Sequence, residues 1–123
     1  MALLAAASEN TAIAAVFVPS TTYYLSLHSA TPGQTGASEI SGGSYARQSI
    51  TFGAASGGSE ASTNSQTFTS LPAESGGISY FGLWSASSGG TYIGGGSTSG
   101  LTGSLPAGIS VNFATGAVTV AIS

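Results

Sequence analysis

YYLSLHSATPGQTGASEISGGSYARQSITF, from Tyr23 to Phe52, reads as two β-strands joined by a long, shaped loop. On the first strand Tyr23, Leu25 and Leu27 alternate with Tyr24, Ser26 and His28. That is the period of two expected where one sheet face is buried and the other is wet. On the second, Ala46, Gln48, Ile50 and Phe52 alternate with Arg47, Ser49 and Thr51, which assigns Arg47 and His28 to wet faces. Between the strands, Thr31-Pro32-Gly33 is a turn, because proline presets φ at a turn's first central position and glycine accepts the positive φ that often follows. Ser41-Gly42-Gly43-Ser44 is a second turn.

Upstream, Met1 to Val18 is the one helical pattern. Leu3, Leu4, Ala7, Ala14, Phe17 and Val18 form a broad stripe with Ile13 at its edge, Ser8, Glu9 and Ala12 lie opposite, and Asn10 interrupts it. No Lys or Arg precedes the apolar run, as a signal peptide would require. Ser8-Glu9-Asn10-Thr11 breaks the run before it reaches the ~20 apolar residues of a membrane span. The helix therefore packs on its own sheet or on a neighbouring subunit, and Pro19 ends it. We expect an N-terminal helix or arm over residues 1–20 and a β-domain over residues 21–123.

Downstream, Gly53 to Ser65 is a low-complexity loop, too polar for core. Gln66 to Leu71 is a short strand with Phe68 inward, stopped by Pro72, and Glu74-Ser75-Gly76-Gly77 turns the chain. Ile78 to Trp84 is apolar on both faces, which marks either a central strand or one half-buried in an interface. After a turn at Ser87 to Gly90, Thr91 to Ile93 runs into Gly94-Gly95-Gly96, and a weak strand spans Gly100 to Leu105. Pro106 initiates a turn. Ile109, Val111 and Phe113 then pair as a hairpin with Val118, Val120 and Ile122 across Ala114-Thr115-Gly116. Seven or eight short strands with turns every 8–12 residues predict a mainly β chain, an antiparallel β-sandwich of jelly-roll type with one short N-terminal helix.

The string from Leu27 to Phe52, LHSATPGQTGASEISGGSYARQSITF, resembles the signature of a family of small tailed-bacteriophage virion proteins. These are often labelled tail fibre or minor virion proteins and carry LHTADPG, TG and then E(V/I)SGGSYARQ. The similarity runs on more loosely through TFGAASGG (Thr51 to Gly58) and SYFGLWSASSGGTYIGGG (Ser79 to Gly96). Thr31 stands where the family usually has Asp, and Ser85 where an Asp often follows the GLW or GLF motif, so no site relying on those carboxylates carries over. The resemblance implies a structural component of the virion, assembled in the bacterial host cytoplasm.

Composition excludes much else. The 123 residues include no Cys, so disulfides, thiol catalysis and the usual structural zinc sites are absent. Only 4% of residues are charged, with 19 Gly, and the net charge is −3. Arg47 is the sole Lys or Arg, which excludes a phosphate-neutralising nucleic-acid surface and a basic membrane surface. His28 is the only histidine, and no Ser stands in a G-x-S-x-G elbow, so a hydrolytic triad has no pattern to stand on. The four Glu are scattered, which leaves no constrained carboxylate pair and no metal-ligand spacing. The glycine run Gly94 to Gly100 lacks the Lys and helix of a phosphate loop. No enzyme, cofactor or metal is expected.

Interaction surfaces remain. His28 reads as a turn or interface histidine bonded to local backbone. Arg47 either pairs with Glu39 and pins the loop or contacts a carboxylate of another subunit. Tyr80, Trp84 and Tyr92 form either a sugar-stacking aromatic surface or, for Trp84, part of the core. A near-neutral surface favours association, so a homo-oligomer is expected, with the trimer common among decoration proteins as its form and other virion proteins, major capsid or tail, as partners. No heptad or G-X-Y period supplies a fibre shaft. On that ground a capsid decoration or cement protein stabilising the head lattice stands ahead of the alternative, a minor tail or tail-fibre protein binding the host surface. A third reading, an unrelated extracellular low-charge β-protein, predicts regular Thr arrays that the sequence lacks.

Overall fold

The computed structural model describes residues 5–98, 101 and 103–121. Among these, one helix, α1 (Ala6–Val16), precedes β1 (Tyr23–His28), β2 (Gln48–Ile50), β3 (Ser59–Ala61), β4 (Gln66–Phe68), β5 (Tyr80–Trp84), β6 (Tyr92–Ser97), β7 (Val111–Phe113) and β8 (Thr119–Ala121). A four-stranded sheet has the order β2-β1-β5-β6, and two-stranded sheets pair β3 with β8 and β4 with β7. β1 with β5, β5 with β6 and β3 with β8 are all antiparallel. The chain is thus mainly antiparallel β with one short helix, in agreement with a β-sandwich-like fold. It divides into two compact units, one of residues 1–22, 50–66 and 113–123, the other of residues 23–49 and 67–112.

In the first unit α1 packs through Ile13 and Phe17, an i, i+4 pair on one face, and the Phe17 ring meets Phe52 at 5.2 Å between centroids. The packed face is rotated from the expected stripe: Ala7 and Val18 are exposed, and Asn10 turns inward to accept the Gly58 N–H at 2.7 Å. A helix of three turns anchored by two large side chains orients on those anchors, and its polar interruption becomes a tie to the neighbouring loop. Leu3 and Leu4 lie outside the described residues. The helix stops at Val16, ahead of Pro19, and Ser20 turns the chain at φ 67°.

Two expectations about this unit are corrected. Gly53 to Ser65 is no free loop, since it contains β3, registered Ser59 to Ala121 and Ala61 to Thr119, with Glu60 and Ser62 buried. Its inward positions are Gly58, Glu60 and Ser62, so an apolar alternation was never present to be read. The C-terminal segments do not pair as a hairpin either. The turn exists, with Ala117 N–H bonded to Ala114 O at 2.9 Å, but β7 goes to β4 and β8 to β3. Gly116 N–H bonds both Ser62 O and Ser62 Oγ, which ties the turn to the β3 side. Ile122 lies outside the described residues.

The second unit is built on β1, β5 and β6. β5 is interior, between β1 and β6, which accounts for its two apolar faces. Leu25, Leu27, Phe68, Leu71, Ile78 and Leu83 are all within 1% of full burial, each contributing about 1.5–3 kcal/mol. The opposite face of β1 was expected to be wet, yet Ser26 and His28 have no exposed surface. The 29–47 loop folds back, with Ser29 N–H bonded to Ser38 O and Ile40 N–H to Leu27 O, and Trp84 and Tyr92 complete the cover. The second strand shortens to Gln48–Ile50, and Phe52 forms a bridge with Ser62 instead of extending it. Of the weak strand proposed at Gly100 to Leu105, Gly100 and Thr102 lie outside the described residues, and Leu105 forms an isolated bridge with Glu74.

Gly82 makes this covered face possible. A Cβ there would sit 2.6 Å from Ser26 Oγ, 2.7 Å from His28 Nε2 and 3.1 Å from Tyr92. We expect Gly82→Ala to lose about 1–3 kcal/mol by overpacking, read as a lower urea midpoint. It should also shift the emission of the single Trp, whose indole bonds Ser26. Unchanged stability and emission would mean that Ser26, His28 and Tyr92 yield to a methyl group at no cost.

Candidate functional site

The 29–47 loop returns His28, Glu39, Tyr45 and Arg47 to one place beside β5. Glu39 forms an isolated antiparallel bridge with His28, which sets the carboxylate next to the end of β1. Arg47 grips that carboxylate with two prongs, Nε to Oε2 and Nη2 to Oε1, both at 2.9 Å. Its remaining Nη1 donates to Ala86 O at 3.0 Å and Gly89 O at 2.8 Å, and its Cζ lies 3.8 Å from the centroid of the Trp84 ring. The Arg47 side chain is only 9% exposed, so its assignment to a wet face is corrected: the loop and the β5–β6 turn close over it. Tyr45 donates to Glu39 Oε2 at 2.6 Å and accepts the Leu27 N–H at 3.1 Å, with its ring stacked on Phe68.

A second chain of bonds fixes the histidine. His28 Nδ1 is 2.7 Å from Ala37 O, and a carbonyl can only accept, so Nδ1 carries the proton. Nε2 is then the acceptor for Ser26 Oγ–H at 2.7 Å, and Ser26 Oγ in turn accepts from Trp84 Nε1–H at 2.8 Å. That assignment is the neutral ring, the form that its burial favours. Burial lowers its pKa, partly opposed by the Ala37 bond and the Glu39 charge, while Arg47 lowers it further. For Glu39, burial resists ionisation, but hydrogen bonds from Arg47 and Tyr45 and the charge of Arg47 outweigh it and hold the carboxyl below its usual range. Burial, reinforced by donation to Glu39, pushes the Tyr45 phenol far above its ordinary value.

The structure thus brings together Arg47, Glu39 and His28 and adds Trp84 to them. It does not join the three aromatics into one platform. Trp84 is covered by Arg47 on its ring face and met by the Tyr92 edge at 5.2 Å. Tyr80 instead borders a separate cleft of about 410 Å3, between the Thr31–Gln34 turn and β6 from Tyr92 to Gly96. Gly36 (φ 76°) closes this turn onto Trp84 and Tyr92, where a Cβ would fall 2.5 Å from the indole. Sequence reasoning missed Tyr45, Ser26 and Gly82. A Tyr two residues before the only Arg, and a Gly inside an apolar strand, were the signals available. Among the described residues, no group of three or more His, Cys, Asp or Glu is placed to hold a metal ion. No helix there is long and apolar enough to cross a membrane.

The family model described as "Podophage GP4 fiber I protein gp80" matches residues 2–121. The chain belongs to that family, a family of phage virion structural proteins. No curated protein matches it.

Proposed function

We propose that this member of the podophage fiber I family is a non-enzymatic structural subunit of a virion fibre and not a cement protein of the head lattice. The observation that carries this reading is the family match over residues 2–121. Head decoration rested on the lack of a shaft-forming repeat. That weighs little if the shaft of the fibre is supplied by other chains. The site supports a scaffolding role. Arg47 is committed to Glu39 and two backbone carbonyls, Glu39 receives three donors, and His28 has both nitrogens engaged. Such groups hold a loop rigid and leave no free acid or base for proton transfer. In this reading Arg47, Glu39 and His28 pin the 29–47 loop, the partners are other fibre and tail proteins, the subunit is a homo-oligomer, and assembly takes place in the host cytoplasm.

Copy number tests it. Quantitative mass spectrometry of purified particles should find this chain at a small fraction of the abundance of the major capsid protein. Near parity with the capsid protein would overturn the fibre reading and restore lattice decoration.

A further inference from the structure

We infer that the cleft between the Thr31–Gln34 turn and β6 is a binding site for a neutral carbohydrate. This rests on the reading of the chain as a fibre subunit, which meets the host surface. At about 410 Å3 the cleft falls within the ~300–1,000 Å3 of small-molecule sites. One wall is preorganised: Gly36 N–H and Ala37 N–H both bond Pro32 O at 3.0 Å, and Thr31 Oγ1 accepts from Gly33 N–H at 3.3 Å. Such a wall loses little freedom when a ligand arrives. The other wall is the last strand of its sheet, lined by Gly94, Gly95 and Gly96, and the space beside the Gly94 Cα is open, so a ligand can approach the main chain there.

The lining chooses the ligand. Its polar ends are the Gln34 amide, the Thr31 hydroxyl and the phenols of Tyr80 and Tyr92, with no carboxylate, ammonium or guanidinium among them. The Gln34 side chain makes no hydrogen bond to the described protein, and the residue is exposed. Neutral donors and acceptors beside aromatic rings match a polyhydroxylated ring with apolar C–H faces. An acidic sugar would find no cation, since Arg47, the only one in the chain, is spent on Glu39 and lies outside the cleft.

Saturation-transfer NMR on the purified full chain tests this. The neutral probes are glucose, galactose, mannose, rhamnose and N-acetylglucosamine, with glucuronate and N-acetylneuraminate as acidic probes. We expect transfer to at least one neutral sugar and none to the acidic ones. Gln34→Ala should weaken that transfer by about fivefold, the loss of one hydrogen bond, and Thr31→Trp should abolish it by filling the cleft. Both positions are exposed, so the amide spectrum should keep its native dispersion. Failure of every neutral sugar, equal transfer to the acidic ones, or undiminished transfer in both variants would overturn the site. So would a concentration-dependent dimer that Thr31→Trp abolishes and no sugar displaces, because the cleft would then belong to a second copy. These outcomes are read on the isolated chain and leave the copy-number result standing, so the two proposals fail separately.

Discussion

Arg47→Ala is expected to lower stability by about 3 kcal/mol, near the lower end of the ~3–5 kcal/mol for stranding one member of a buried ion pair. The lower end applies because Glu39 keeps 22% of its side chain exposed and can recover some water. The loss has several parts. Glu39 forfeits both prongs of the guanidinium, Ala86 O and Gly89 O lose their donor, and Trp84 loses the cation at 3.8 Å. The measurement is a urea transition followed by the single Trp, with an unchanged slope marking a true loss of stability. Arg47→Lys should recover less than half, since an ammonium cannot grip both oxygens, reach two carbonyls and lie flat on an indole together. Glu39→Gln combined with Arg47→Ala should cost much less than the sum of the two, because each removes the same interaction. A change below ~1 kcal/mol in Arg47→Ala would place the pair among ordinary surface ion pairs and remove it as the pin of the loop.

That prediction rests on a burial which strand periodicity alone does not give. Alternation correctly set Tyr23, Leu25 and Leu27 on one face and Ser26 and His28 on the other, but it is silent on what covers the second face. The cover is made by a loop without a continuous apolar stripe. It is held by a histidine that donates to Ala37 O, a serine that relays a hydrogen bond from an indole, and a glycine at position 82. The association of Arg47 with Glu39 was open to inference because the only cation and a carboxylate share one loop. Tyr45 was not, because its role depends on a contact to Leu27 N–H eighteen residues away. The aromatic trio shows the same limit. Tyr80 and Trp84 share a face by period but stand at opposite ends of β5, and the return of the loop places Trp84 under Arg47 while Tyr80 borders the cleft. In the first unit the inward positions of β3 are polar, so the pattern on which strand reading depends was absent.

Glu60 is the strangest of those inward residues, and replacing it should stabilise the protein. It is 2% exposed, and neither carboxylate oxygen has a hydrogen-bond partner. Its own unit offers no cation among the described residues, and the other carboxyl there, Glu9, carries the same sign, its side chain lying against Gly58. Burial therefore raises the Glu60 pKa above the ordinary carboxyl value. The unfolded chain releases its proton near ~4.3 and the folded one higher. The favourable contribution is complete below ~4.3 and is lost as pH rises through the folded pKa. His28 and Glu39 run the other way. The neutral imidazole is favoured over protonation, so stability falls as pH drops below ~6.5, where the unfolded histidine takes a proton. The carboxylate of Glu39 loses its contribution as pH falls through its lowered folded pKa. Amide exchange, corrected for intrinsic rates, should therefore show β3 and β8 gaining protection relative to β1 and β5 between pH 7.5 and pH 4.5. Glu60→Gln should remove the gain in β3 and β8. Glu60→Leu should raise stability at neutral pH by about 1–3 kcal/mol, the penalty of an unsatisfied buried polar group. A destabilised Glu60→Leu would mean that the carboxylate is satisfied in the isolated chain, by water or by a protein donor, and that its burial carries no net penalty.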